Sequence, residues 1–204
     1  MYIYPELKDR VVLITGGTQG IGEAMAREFS AQKAKLAVNG RKLDAKVQKV
    51  LDDTGAIPAM GDISDTASAK RIVEETVAKF GAIDSLICNA AGMTMKPFLE
   101  QDEASWRKQI DINLTGHIAC IQAALPHMLK QKRGSIVLIS SFFGTLGWEN
   151  ASGYGRDTSY LSVVDRWGNA VSMTPSDFPQ SPMVPGTGLT LGIRMTQFRL
   201  DPKH

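Results

Sequence analysis

The stretch Leu13-Ile14-Thr15-Gly16-Gly17-Thr18-Gln19-Gly20-Ile21-Gly22 decides how the rest of the chain is read. An apolar β-branched run, Val11 to Thr15, leads into it, and Ile21, Met25 and Phe29 follow at a spacing of four with Ala24 and Glu28 alongside. That is a strand, a glycine turn and an amphipathic helix in succession. Glycines at 16, 20 and 22 permit a tight turn, a close approach of backbone to a pyrophosphate and close packing of helix on strand. The first N–H groups of the helix then favour an anion.

Outward from this turn the same alternation continues. Strands are expected at Lys35 to Asn39, Ile57 to Met60, Ser85 to Cys88 and Ser135 to Ser140. A second helix is expected from about Thr66 to Phe80 on Ile72, Val73, Val77 and Phe80. A third, from about Asp102 to Lys130, carries Trp106, Ile110, Leu114, Ile118, Ile121, Leu125 and Met128, with a bend expected at Pro126. Strands apolar on both faces and alternating with helices predict an α/β fold with a parallel sheet covered on each side. Near residue 155 the composition changes, and five of the nine prolines fall in the last thirty residues. There a hairpin is expected, Ser159 to Asp165 and Asn169 to Thr174 around Arg166-Trp167-Gly168, followed by a Pro-rich tail. The division is therefore residues 1–155, a dinucleotide-binding unit, and residues 156–204, an irregular tail.

Composition removes several classes of function. The 204 residues carry 23 Lys+Arg and 21 Asp+Glu, a net charge of +2, with 43% hydrophobic and 22% charged residues. These values predict a soluble globular protein without the basic excess of a nucleic-acid binder. Glu6, Lys8, Asp9 and Arg10 interrupt any signal-peptide core, and the longest apolar runs are too short to cross a bilayer. Cys88 and Cys120 lack metal-ligand spacing and read as buried free thiols, which with the missing targeting signals predicts a cytoplasmic location. His117 and His127 lie on a helix without ligand partners and read as structural or exposed.

Thr15-Gly16-x-x-x-Gly20-x-Gly22 resembles the first glycine motif of the short-chain dehydrogenase/reductase family. The resemblance spans about residues 7–155 and implies a Rossmann-type doubly wound parallel sheet and an oxidoreductase. Asp62-Ile63 matches the family's adenine-contacting pair, and Asn89-Ala90-Ala91-Gly92 is similar to its Asn-Asn-Ala-Gly motif with Cys88 at the first asparagine. Asn113 matches the family's helix asparagine, and Ser141 and Tyr154 stand at the spacing of its catalytic serine and tyrosine.

The implied site has Asn113, Ser141 and Tyr154 as catalytic residues. Thr15, Gly16, Thr18, Gln19, Gly20, Ile21, Gly22, Arg41, Asp62, Ile63, Asn89 and Ala90 would hold the cofactor, and no metal is implied. At the end of the second strand, Val38-Asn39-Gly40-Arg41 lacks the acid that would bind free ribose hydroxyls. Arg41 can pair with a 2′-phosphate, so NADP(H) is expected ahead of NAD(H); a solvated basic turn is the other reading of Arg41 and Lys42. A small carbonyl or alcohol is the implied substrate, Tyr154 its proton donor, and a homo-oligomer the implied assembly.

The chain departs from the family at Thr158, where a lysine would bind the nicotinamide ribose and lower the tyrosine's pKa. The family's later helix and strands also have no pattern here. The sheet is therefore expected to be incomplete on its C-terminal side, leaving the face and edge at Ile136 to Ile139 uncovered. Asp157 to Ser172, with Val184-Pro185-Gly186-Thr187-Gly188, resembles the start of the small subunit of γ-glutamyltranspeptidases, whose nucleophilic threonine would correspond to Thr158 and supporting hydroxyl to Ser176. Phe178 and Gln197 depart from that family where an asparagine and an aspartate are expected. Three readings stand: a reductase or dehydrogenase, a non-catalytic nucleotide-binding module or inert hybrid fragment joined near Gly155, and a remnant of an amino-terminal-nucleophile hydrolase.

Overall fold

A computed structural model describes residues 3–94, 96, 98–141, 159–164 and 170–173. Among the described residues seven strands form one sheet: β1 Val11–Ile14, β2 Lys35–Val38, β3 Ile57–Pro58, β4 Ser85–Cys88, β5 Ser135–Ser141, β6 Ser159–Val164 and β7 Ala170–Met173. Their order is β3-β2-β1-β4-β5-β6-β7, parallel from β3 to β5 and antiparallel beyond it. Among the described residues five α-helices accompany them: α1 Gly20–Ala31, α2 Ala45–Thr54, α3 Thr66–Phe80, α4 Glu103–Ile110 and α5 Gly116–Lys130. This is the expected doubly wound α/β sheet of Rossmann type.

The period of two in β1 divides the interior. Leu13 joins Ile72, Val73, Cys120 and Met128 of α3 and α5 on one face, whereas Val12 and Ile14 join Ala26, Val47 and Leu51 of α1 and α2 on the other. Every residue of β1 is buried, as a central parallel strand requires. Successive connections wind outward in opposite directions from β1 and β4. The carboxyl ends of β1, β2, β4 and β5 therefore share one edge, with the crevice at the β1/β4 switch point.

Three expectations change. The segment 45–54 is a helix that apolar periodicity did not mark. The helix expected over 102–130 is two helices joined by a π-helical turn, Asp111–Thr115, with Pro126 inside the second. The edge of β5 is not bare, because β6 pairs with it from Val137↔Val163 to Ser141↔Ser159, and β7 pairs with β6. Backbone pairing thus supplies the neighbour that the missing helix-and-strand pattern withheld. The face remains open in part, since Leu138 of β5 is 41% exposed.

Candidate functional site

At the carboxyl edge, the loop after β1 and the loop after β4 are knitted together. Thr15, fully buried, donates its hydroxyl to the Ile87 carbonyl at 3.2 Å; its Oγ1 accepts from the Asn89 amide at 2.9 Å and the Ala90 amide at 3.1 Å. Asn89 returns its Nδ2 to the carbonyls of Thr15 and Gly16 at 3.0 and 3.1 Å. Gly16 has φ +63°, and a Cβ there would come within 2.8 Å of Ala90 Cα. A side chain at Gly22 would collide with the Gly16 carbonyl and approach Asn89 Nδ2 to 2.7 Å. Both positions need glycine, one for a left-handed backbone and the other for the closeness of α1 to the turn.

The start of α1 differs from its neighbours. Asp44, Asp65 and Asp102 cap α2, α3 and α4 by accepting from Val47, Ala67 and Ser105 amides. At the N-cap of α1, Gln19 makes no such bond, and a Cβ at Gly20 would meet nothing within 4 Å. The first amides of α1 therefore open toward the turn without an internal acceptor, the arrangement that suits a phosphate. Ile21 lies exposed beside them.

Asn39 shapes the next part of the crevice, and its role was not apparent from sequence. It is buried, its Nδ2 donates to the carbonyls of Ala59 and Gly61 at 2.8 and 3.0 Å, and its Oδ1 accepts from the Gly16 amide at 3.3 Å. The side chain joins β2, β3 and the glycine turn and is spent on them. The signal was an amide at the end of a buried strand, which needs partners. Thr18 packs over Gly40, where a Cβ would come within 2.6 Å of its methyl. Arg41 projects into solvent beyond.

Across the crevice, Asp62 accepts from the amide and hydroxyl of Ser64 at 2.9 and 2.8 Å. Burial opposes its charge, but these bonds, with Arg41 and Lys108 beyond them, hold the carboxyl below the usual carboxylate range. Arg41 and Asp62 thus flank one region. Ile63 follows with its side chain in the core, and α5 packs on its backbone through Gly116.

Asn113 lies in the π-helical turn, where its Nδ2 donates to the Gly92 carbonyl at 2.7 Å and its Oδ1 accepts from the Gly92 amide at 2.9 Å. Asn113 is thus spent on the backbone of Gly92. Ser141 ends β5 at the same edge, opposite Ser159. Tyr154 and Thr158 lie outside the described residues, so the expected grouping of Asn113, Ser141 and Tyr154 is not drawn together here. Both cysteines are buried, and burial pushes Cys88 up to about 12 and Cys120 to about 11, which keeps both thiols protonated. Among the described residues there is no cluster of metal-binding side chains and no helix long and apolar enough to cross a membrane.

Similarity to known proteins runs along the same segments. Residues 10–156 match the family model for short chain dehydrogenases. A cis-4-hydroxycyclohexanecarboxylate dehydrogenase of Sinomonas cyclohexanicum is 32% identical, over 95% of this chain and 82% of that protein. An uncharacterized oxidoreductase of Listeria innocua is 35% identical over 73% of this chain, which spans 62% of the relative's length. A 3-oxoacyl-[acyl-carrier-protein] reductase of Staphylococcus aureus is 31% identical over 70% of this chain and 60% of its own. The first of these alignments runs well beyond residue 155. With the fold, the glycine turn and these matches in agreement, the chain belongs to the short-chain dehydrogenase family.

Proposed function

We propose that residues 1–155 bind a nicotinamide dinucleotide, NADP(H) in preference to NAD(H), and that the chain serves hydride transfer to or from a small carbonyl or alcohol. The observation carrying this reading is the uncapped amino terminus of α1, set over a glycine turn that Thr15, Asn39 and Asn89 hold rigidly. Thr15, Gly16, Thr18, Gln19, Gly20, Ile21 and Gly22 would receive the pyrophosphate, Asp62 and Ile63 the adenine, and Asn89 and Ala90 the nicotinamide half. Arg41 would read a 2′-phosphate, because the buried Asn39 offers ribose hydroxyls no carboxylate. When bound, the dinucleotide supplies or accepts the hydride. Tyr154 would exchange a proton with the substrate oxygen, Ser141 would hydrogen-bond that oxygen, and Asn113 would fix the loop beneath it through Gly92.

The transpeptidase resemblance of the tail finds less support, since the Sinomonas dehydrogenase aligns over 95% of the chain. Residues 156–204 are better read as a divergent extension, of which β6 and β7 add a hairpin at the outer edge of a sheet that is incomplete on that side.

The test is a titration of the purified chain with NADPH and NADH, followed by nicotinamide fluorescence. Saturable binding favouring NADPH, with the preference lost in Arg41→Ala, is the expected result. Absence of binding to either would establish the inert-fragment reading. Thr158→Lys is expected to raise turnover, because a cation beside the phenol lowers its pKa from about 10 toward the working range.

A further inference from the structure

The segment that leaves β4 is tied at every second residue. The Ala90 amide donates to Thr15 Oγ1 at 3.1 Å, the Gly92 amide to Asn113 Oδ1 at 2.9 Å and the Thr94 amide to Gln109 Oε1 at 3.2 Å. Ser105 donates its hydroxyl to Thr94 Oγ1 at 2.9 Å, and Gln101 its Nε2 to the Lys96 carbonyl at 3.0 Å. Residues 105, 109 and 113 follow one another at about one helical turn, which sets them on one side of α4 and its continuation. Four residues of helix rise about 6 Å and two residues of open chain reach at most about 7 Å, so a row of side chains on the helix meets alternate residues of the loop.

Gln109 is the middle of this row. It is half-buried, and its Nε2 donates to Gln101 Oε1 at 2.9 Å and to the Ser105 carbonyl at 3.4 Å, which turns its oxygen toward Thr94. A side chain already held at its amide nitrogen loses little further freedom in gripping the loop. Burial does little to fix that loop, since Ala91 is exposed and Met93, between the two tied amides, is 63% exposed. Its place is therefore set by hydrogen bonds. The same loop begins with Asn89 and Ala90, and it leaves the sheet at the edge where β5 runs on to Ser141, because Cys88 lies beside Leu138.

We propose that Gln109 is a positioning residue for the nicotinamide half of the site, holding the segment after Ala90 through the Thr94 amide. This rests on the dinucleotide-binding reading above. Gln109 acts through Thr94 as Asn113 acts through Gly92, and together they keep the chain that carries Asn89 and Ala90 seated against Gly16.

The test compares two ligands. NADPH is 2′-phospho-ADP-ribose with the reduced nicotinamide added, so the ratio of their affinities reports the nicotinamide half alone. Gln109→Met keeps the length of the side chain and removes the acceptor, whereas Gln109→Glu keeps an oxygen for the Thr94 amide. In Gln109→Met the ratio is expected to fall about fivefold, the ordinary worth of one hydrogen bond, and in Gln109→Glu to stay within about twofold of the unsubstituted chain. The charge that glutamate adds acts on the phosphates of both ligands and cancels in the ratio. An unchanged ratio in Gln109→Met, which includes equal weakening of both ligands, overturns the proposal, as does an equal fall in the two variants. Amide hydrogen exchange at Thr94 in the unliganded chain should quicken in Gln109→Met and not in Gln109→Glu; unchanged exchange in both overturns the grip itself. Failure of the unsubstituted chain to bind either ligand overturns the function proposed above and this inference with it, whereas binding with an unchanged ratio overturns this inference alone. Thermal melts establish that each variant folds, and Gln109→Ala replaces Gln109→Met if the latter does not.

Discussion

The two halves of the sheet are built to different standards. From β3 to β4 the strands are parallel, enclosed between α1 and α2 on one face and α3 and α5 on the other, and β1 is wholly buried. From β5 outward the chain turns antiparallel, and β5 itself is half-buried, with Leu138 exposed. Parallel strands bring their own covering helices through their crossovers, whereas a hairpin brings only backbone hydrogen bonds. The hairpin therefore satisfies an edge without covering a face. The dinucleotide crevice belongs to the first half, while Ser141 belongs to the second.

Leucine truncations measure this contrast most strongly. Leu13 is fully buried in β1, and Leu13→Ala should destabilise by about 3–5 kcal/mol, since transfer and cavity terms both apply. Leu138→Ala, at a site already open to water, should cost about 1 kcal/mol or less. Urea unfolding of the two variants checks the difference. Equal losses would mean that the outer half is covered as thoroughly as the inner.

Asp84 is where the halves are bound together. Nearly buried, it accepts from the Val11 amide at 2.9 Å and from Arg133 Nε at 2.6 Å, with Arg10 at 3.6 Å, while its backbone carbonyl accepts from the Ser135 amide. One side chain thus ties the start of β1 to the residues leading into β5. Asp84→Ala strands a buried amide. The full cost of breaking a buried pair is reduced because both arginines are half in water, leaving about 2 kcal/mol. Hydrogen exchange sharpens the result: β5 amides should lose more protection than those of β2, and uniform loss would show that Asp84 serves β1 alone.

The inner half was legible in the sequence, and the reasons are local. Val11–Ile14, Ser85–Cys88 and Thr66–Phe80 fall where β-branched runs and a four-residue apolar spacing place them, because burial on both faces leaves few polar interruptions. Helix α2 was missed because only Val47, Val50, Leu51 and Thr54 turn inward among charged and polar residues, although Asp44 and Gly55 punctuate its ends as cap residues do. The π-helical turn has no compositional signature; it is visible only once Asn113 is seen gripping Gly92. At the site, the glycines were readable because a close approach admits nothing larger. Asn39 was not, because its importance lies in carbonyls that only the fold brings near it.

The smallest effect tests why α1 alone of the four helices α1 to α4 begins without a side-chain cap. In Gln19→Asp, the carboxylate can accept from the first turn as Asp44, Asp65 and Asp102 do, and it adds a negative charge to the positive end of the helix dipole. The unliganded chain should gain about 0.5–1 kcal/mol in urea unfolding. The same carboxylate takes the amides that a pyrophosphate would use and repels it, so NADPH affinity should fall as stability rises. Opposite signs in the two measurements are the mark of an amino terminus kept open for an anion. A gain in stability with affinity unchanged would place the phosphate elsewhere and leave the open end of α1 without a function.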